Sequence, residues 1–167
     1  MYKTVLYRFV FSLFVSFWAG IALAQPMVTA DYTLNVEIRD DQGVPVKYGF
    51  NVAALERLPR HVIETNTIWT EGVQVFEGVL LKDFLAHIGV SEGNIEASAT
   101  NEYLIDINVN EATDIAPLIA YKRNGEYMSL RDKGPLWVVF PYDASEEFRR
   151  DEIYAQSIWQ VDSFLIE

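Results

Sequence analysis

The stretch that decides the fold covers residues 76–85, reads FEGVLLKDFL and continues as AHIG to Gly89. The β-branched residues Val73 and Val75 precede this stretch and favour a strand. From Leu81 onward the apolar residues follow the period of a helix. Apolar residues recur at the i, i+3, i+4 and i+7 spacing of one helical face, at Leu81, Phe84, Leu85 and Ile88. Gly89 follows at the position of a helix C-cap. The stretch therefore predicts a strand that leads into a short amphipathic helix.

Apolar alternation and β-rich composition predict strands on both sides of this junction. The predicted strands cover residues 32–38, 44–50, 61–69, 73–76, 95–99, 103–109, 118–123, 126–130, 136–140 and 158–166. Asn51 is predicted to cap a short helix that ends before Pro59, and residues 143–151 are predicted to form a charged loop or short helix. Asn124-Gly125 between two strands predicts a hairpin turn. Because helices interrupt the strands irregularly, the predicted fold class is α+β and β-rich, without regular βαβ units.

The first 24 residues have the pattern of an export signal. Lys3 and Arg8 precede an almost wholly apolar run, and Ala22-Leu23-Ala24 supplies the small residues that a signal peptidase requires. The apolar run is shorter than the ~20 residues of a spanning helix. We therefore expect cleavage near Ala24, a single mature domain over residues 25–167, and a periplasmic or secreted location.

Composition excludes several function classes. The net charge is −11, and it would become −13 once the signal, with its two basic residues and no acidic residue, is removed. Such a chain repels phosphate backbones, so a nucleic-acid partner is not expected. The sequence has no cysteine. Thiol nucleophiles, thiolate-bound zinc and iron–sulfur clusters are therefore excluded.

Short catalytic and metal-binding motifs are also missing from the sequence. His61 and His87 are the only histidines and are far apart in the chain, and no HExxH motif, EF-hand loop, GxSxG elbow or phosphate-binding glycine loop occurs. His87 falls on the polar side of the predicted helix, where a solvated side chain is expected. Paired carboxylates remain open, because their pairing is spatial.

Several segments, taken in order, resemble the sulfite oxidase-like molybdopterin-binding domain family. Residues 76–85 are similar to its W-x-G-V-x-L-x-x-L-L segment, Asn101-Glu102-Tyr103 to its Asp-Gly-Tyr, and residues 118–125 to its L-L-A…N-G hairpin. Residues 133–141 are similar to G-x-P-x-R-x-V-V-P, and Trp159 stands where an aromatic residue precedes the closing strand. The resemblance extends over residues 32–167. It implies that family's fold, with mixed sheets and two or three short helices.

The resemblance also implies a molybdenum–pterin cofactor, but the residues of this chain depart from the pattern. The family holds molybdenum through a cysteine before the W-x-G-V segment, and the equivalent position here falls near Asn66 or Thr67, which cannot replace a soft thiolate. The arginine of G-x-P-x-R is Trp137. We therefore expect the fold without its redox chemistry.

The resulting prediction is a periplasmic binding or accessory protein, without a cofactor, whose pocket binds a small polar ligand or a protein partner. The candidate ligand-binding residues are Asn66, Thr67, Trp69, Asn101, Tyr103, Arg131 and Lys133. No catalytic residue and no metal ligand is predicted. Two alternatives stay open: a molybdopterin-dependent oxidoreductase with atypical ligation, and an extracytoplasmic interaction module of a membrane sensor.

Overall fold

The computed structural model describes residues 33–39 and 42–167, and within them it has ten strands and three α-helices. The first five strands are β1 (Leu34–Arg39), β2 (Pro45–Phe50), β3 (His61–Thr65), β4 (Gln74–Leu80) and β5 (Asn94–Ala99). The others are β6 (Leu104–Asn108), β7 (Leu118–Arg123), β8 (Glu126–Tyr127), β9 (Trp137–Val139) and β10 (Val161–Ile166). The helices are α1 (Val52–Leu55), α2 (Leu81–Ile88) and α3 (Asp151–Gln156). The α+β, β-rich prediction is confirmed. The predicted signal and its cleavage position lie outside the described residues.

The strands form two sheets. The first has the order β2-β1-β10-β5-β6 and is mixed, because β1 and β10 are parallel while the other neighbours are antiparallel. The second is antiparallel, with the order β3-β4-β7-β8 and with β9 also paired to β7. In the part of the chain that the structure describes, no helix is long and apolar enough to cross a membrane.

The junction between β4 and α2 anchors the core. Leu81, Phe84 and Leu85 on α2 are buried, as the periodicity predicts, and Gly89 is the C-cap. Phe84 contacts Phe50 of β2 edge-on, with ring centroids 5.0 Å apart, and Phe164 of β10 at 6.1 Å. The helix therefore joins the two sheets in one hydrophobic core.

Gly78 is required where β4 bulges against β7. A β-carbon built at this position would lie 2.1 Å from the carbonyl oxygen of Ile119 and 2.7 Å from the α-carbon of Ala120. The pairing register of the two strands shifts at the same point, between Glu77 and Gly78. Only glycine allows the two backbones to come this close.

Local turn signals were reliable predictors. Asn51 caps α1 through a 2.9 Å hydrogen bond that its side chain accepts from the backbone N–H of Ala54. Asn124 and Gly125 both have positive φ, at 53° and 84°, which is the two-residue hairpin turn that their sequence predicts. His87 is exposed, as expected.

Several predicted element boundaries were wrong, among them the end of β4, which lies at Leu80 instead of residue 76. The strand from residue 61 ends at Thr65 instead of continuing to residue 69, and α1 ends at Leu55. β8 ends at Tyr127, because Met128 turns into the core and Ser129 begins a short 3₁₀ turn. The last strand begins at Val161, since Gln160 has a positive φ of 55° that interrupts the extended chain. The charged segment after residue 143 contains a 3₁₀ turn followed by α3.

Candidate functional site

A cavity of about 300 Å³ lies where three connections meet. They are the loop between β3 and β4, the turn between β5 and β6, and α3 with the segment that leads into β10. The residues that line it are Trp69, Ala99, Asn101, Tyr103, Tyr154, Ala155, Ser157, Ile158 and Trp159. We call this cavity the aromatic pocket. Its volume is at the small end of the range of ligand pockets, about 300–1,000 Å³.

Trp69 is positioned by a short hydrogen-bonded turn. The Thr67 hydroxyl accepts a hydrogen bond of 3.1 Å from the backbone N–H of Trp69 and lies 2.7 Å from the Thr70 hydroxyl. These bonds give the backbone an alternative to strand pairing, and they account for the early end of β3. Thr67 therefore supports the pocket from behind Trp69 instead of lining it.

The loop that carries Trp69 is also fastened to Asp143. One carboxylate oxygen of Asp143 accepts hydrogen bonds from the backbone N–H and the side-chain amide of Asn66, at 2.6 and 2.9 Å. The backbone N–H of Asp143 donates to the Thr65 hydroxyl at 3.1 Å. The bond from the Asn66 backbone N–H, followed by that from its side chain, lowers the pKa of the Asp143 carboxyl below its ordinary value. Asn66 thus holds the loop in place and is not among the lining residues.

Aromatic rings form most of the pocket wall. The ring of Trp69 lies edge-on to the rings of Trp159 and Tyr154, with centroids 5.6 and 5.8 Å apart. Behind it, Trp69 also contacts Trp137 and Tyr142, at 5.9 and 6.1 Å. Edge-to-face arrangements of this kind fix ring orientation and contribute about 0.5–1.5 kcal/mol per pair beyond burial. The wall is therefore a rigid apolar surface.

Few polar groups face the pocket. The Tyr103 hydroxyl donates a long hydrogen bond of 3.4 Å to the carbonyl oxygen of Ala155 on α3, which bridges two of the three connections. The Asn101 side-chain oxygen accepts from the backbone N–H of Tyr103 at 3.3 Å. Its amide nitrogen has no partner among the described residues. The Asn101 amide can therefore donate to a ligand.

The basic candidates lie beside the pocket without lining it. Lys133 places its ammonium group 4.0 Å from the ring centroid of Trp159 and 5.6 Å from that of Trp137. Arg131 is exposed on the 3₁₀ turn Leu130–Asp132. Of the seven predicted residues, the structure thus brings Trp69, Asn101 and Tyr103 into one cavity, Lys133 against its wall, and Asn66, Thr67 and Arg131 into its surroundings.

Sequence reasoning missed the side of the pocket formed by Tyr154, Ser157 and Trp159 as lining residues. The aromatic residues themselves were visible, but their spacing cannot show that α3 folds back toward the turn between β5 and β6. Ser157 is buried, donates to the carbonyl oxygen of Ile153 at 2.8 Å and accepts from Tyr142 at 2.6 Å. Its hydroxyl is therefore fully used within the protein.

No metal-binding arrangement of three or more His, Cys, Asp or Glu side chains occurs within residues 33–39 and 42–167. His61 does not line the aromatic pocket; it lies at the start of β3, where its Nε2 is 2.8 Å from a carboxylate oxygen of Asp83.

No family model matches the chain, and no curated protein matches it.

Proposed function

We propose that this protein is a periplasmic or secreted binding protein that holds a small ligand in the aromatic pocket, on a sulfite oxidase-like scaffold without molybdenum chemistry. The observation that carries the proposal is the convergence of Trp69 from one loop, and of Asn101 and Tyr103 from another, on one cavity with Tyr154 and Trp159. A small concave site with apolar walls and a few polar groups is the usual form of a ligand site.

The packing of the resembling segments supports the scaffold part of the proposal. Residues 76–80 lie in β4, residues 118–123 in β7 and residues 137–139 in β9, and β7 pairs with both of the other strands. The close approach at Gly78 joins the first of these segments to the second. Three of the five resembling segments therefore meet in one sheet, whereas residues 101–103 lie in the turn between β5 and β6 and Trp159 precedes β10.

The surroundings of Asn66 support the part of the proposal that concerns molybdenum. Positions 66 and 67 offer only amide and hydroxyl groups, which are poor ligands for a metal that prefers a soft thiolate. Asn66 is already bonded to the Asp143 carboxylate, and the lowered pKa keeps that group ionised. A negative charge at this point disfavours an anionic pterin phosphate. These residues do not fit the cofactor of the resembled family.

The periplasmic or secreted location is proposed from the sequence alone. Lys3, Arg8 and the small residues before Gln25 predict removal of the first 24 residues. Intact-mass measurement of the protein recovered from the periplasm tests this directly. We expect a chain that begins at Gln25; recovery of the full-length chain with the membrane fraction would contradict cleavage, and recovery from the cytoplasm would contradict the extracytoplasmic assignment.

The binding function is tested by native mass spectrometry of protein isolated from the periplasm under gentle conditions. We expect the wild-type protein to retain a small organic molecule and Tyr103→Ala to lose it, because Tyr103 contributes an exposed ring to the pocket. Tyr127→Ala is the matched control, since Tyr127 is similarly exposed but lies on β8, away from the pocket. A ligand kept equally well by Tyr103→Ala, or a wild-type protein that never carries one, would contradict the proposal.

A further inference from the structure

A positively charged turn lies against the wall of the aromatic pocket. The ammonium group of Lys133 sits over the ring of Trp159, one of the lining residues, at 4.0 Å from its centroid. A cation over a tryptophan face is held electrostatically, so its position is restricted. Among the described residues no carboxylate forms an ion pair with Lys133 or with Arg131. Both positive charges are thus uncompensated in a strongly acidic chain.

Gln160 fixes this turn relative to the pocket. Its side-chain nitrogen donates to the carbonyl oxygen of Leu130 at 2.7 Å, and its backbone N–H donates to that of Lys133 at 3.2 Å. On its other side, the backbone N–H of Thr100 donates to the Gln160 carbonyl oxygen at 3.1 Å. Thr100 precedes Asn101, which lines the pocket. The backbone of the turn that carries Lys133 therefore has a defined position beside the cavity.

The acidic residue of the turn does not cancel these charges. Asp132 accepts a hydrogen bond of 2.7 Å from the Ser129 hydroxyl and lies 3.9 Å from the guanidinium group of Arg123. It is therefore already engaged within the turn and with β7. None of the nine lining residues carries a charge. The ammonium group of Lys133 is thus a positive charge held against a lining ring of the cavity, that of Trp159.

We infer that the aromatic pocket selects a small planar aromatic carboxylate. The ring would lie against Trp69 and Tyr103, and the carboxylate would face Lys133 and the free amide of Asn101. A cavity of about 300 Å³ suits a ligand of one or two rings. The Lys133 ammonium opposes a cationic ligand and favours an anion. This inference rests on the proposed binding function and specifies the chemical class of its ligand.

The test is isothermal titration calorimetry with four probes that separate ring, shape and charge. They are indole-3-acetate, its neutral amide indole-3-acetamide, the cation tryptamine, and cyclohexaneacetate, which keeps the charge without a planar ring. We expect indole-3-acetate to bind most tightly. A charge-assisted contact with Lys133 should favour it over the amide by about tenfold.

Lys133→Met is the informative variant, because it keeps the length of the side chain and removes the charge. It should remove the preference for indole-3-acetate over indole-3-acetamide. Lys47→Met removes the same charge from β2, where Lys47 pairs with Glu37 at 3.1 Å, and should preserve the preference. Circular dichroism of both variants checks that each is folded.

The possible outcomes separate this inference from the binding function. Equal affinity for indole-3-acetate and its amide, or tighter binding of tryptamine, would overturn the choice of a carboxylate while a ring site remains. Equal binding of cyclohexaneacetate would overturn the choice of a planar ring. Failure of all four probes would overturn the inference, whereas the retained ligand seen by native mass spectrometry decides the binding function independently.

Discussion

The hydroxyl of Tyr142 donates a hydrogen bond of 2.6 Å to the hydroxyl of Ser157, in the layer directly behind the aromatic pocket. Both side chains are 2% exposed. The Ser157 hydroxyl in turn donates to the carbonyl oxygen of Ile153 at 2.8 Å. These two hydrogen bonds connect the loop after β9 to α3. The ring of Tyr142 also stacks on Tyr154 at 5.3 Å. The Tyr142–Ser157 pair therefore fixes the side of the pocket that the sequence did not predict.

Removing the Tyr142 hydroxyl should destabilise the fold measurably. We expect Tyr142→Phe to lower the free energy of unfolding by about 1–2 kcal/mol, because a buried hydrogen bond is lost and Ser157 keeps an unmatched lone pair. Tyr127→Phe is the control: its hydroxyl bonds to Glu56 at 2.6 Å but on the surface, so its cost should stay within about 0.5 kcal/mol. Urea denaturation measures both. Equal losses of unfolding free energy in the two variants would contradict the larger stabilising contribution of the buried hydrogen bond.

The same tyrosine predicts a loss of stability at high pH. Burial raises the pKa of Tyr142 to about 12, whereas an unfolded tyrosine titrates near ~10. The unfolded chain therefore gives up the proton first, so the stability linked to this group is present below pH ~10 and is lost as the pH rises from ~10 to ~12. The difference in unfolding free energy between wild type and Tyr142→Phe should shrink over that range. A difference that stays constant from neutral pH upward would contradict the assignment.

Gly78→Ala should be strongly destabilising. Its β-carbon would meet the backbone of β7 at 2.1 Å, and backbone atoms cannot move aside as a flexible side chain can. We expect a loss of about 3 kcal/mol or more. Gly125→Ala serves as the comparison, because a β-carbon there has open space and the cost is limited to a left-handed backbone, about 1–2 kcal/mol. If thermal denaturation ranks the two variants in the opposite order, the close approach of β4 and β7 is wrong.

Asn66→Ala should raise the pKa of the Asp143 carboxyl toward its ordinary value. The rise should be partial, since the backbone N–H of residue 66 remains as the stronger of the two bonds that lower this pKa. The stability linked to Asp143 is present above its ordinary pKa and is lost as the pH falls toward the lowered value, so the variant should lose less on acidification. NMR titration of the side-chain carboxyl carbon measures the shift. The Asp162 carboxyl, whose pKa is raised by burial, is an internal control that should not move.

The sequence was a good guide where a local pattern decides the structure. The periodicity of α2, the Asn51 cap and the turn at Asn124 all depend on residues close in the chain, and each was predicted correctly. Prediction from the sequence failed where a group distant in the chain forms a hydrogen bond with the backbone. Asp143 binds the N–H of Asn66 and helps to end β3 early, although 77 positions separate the two residues.

The residues of the candidate site likewise include some that the sequence predicted and some that it did not. Trp69 was predicted because it stands beside the polar residues Asn66 and Thr67. Asn101 and Tyr103 were predicted because they belong to a segment that carries the resemblance, and all three residues line the pocket. Tyr154 and Ser157 were not, because their role depends on how α3 packs against the turn between β5 and β6. Asn66 was expected to contact a ligand, but the structure gives it a positioning contact with Asp143.

We propose that this protein binds its ligand without molybdenum. The most direct test is quantitative molybdenum and pterin analysis of the protein isolated from the periplasm of cells grown with abundant molybdate. We predict background levels of both, because the chain has no thiolate and Asn66 faces a carboxylate. One molybdenum atom and one pterin per chain would contradict the account.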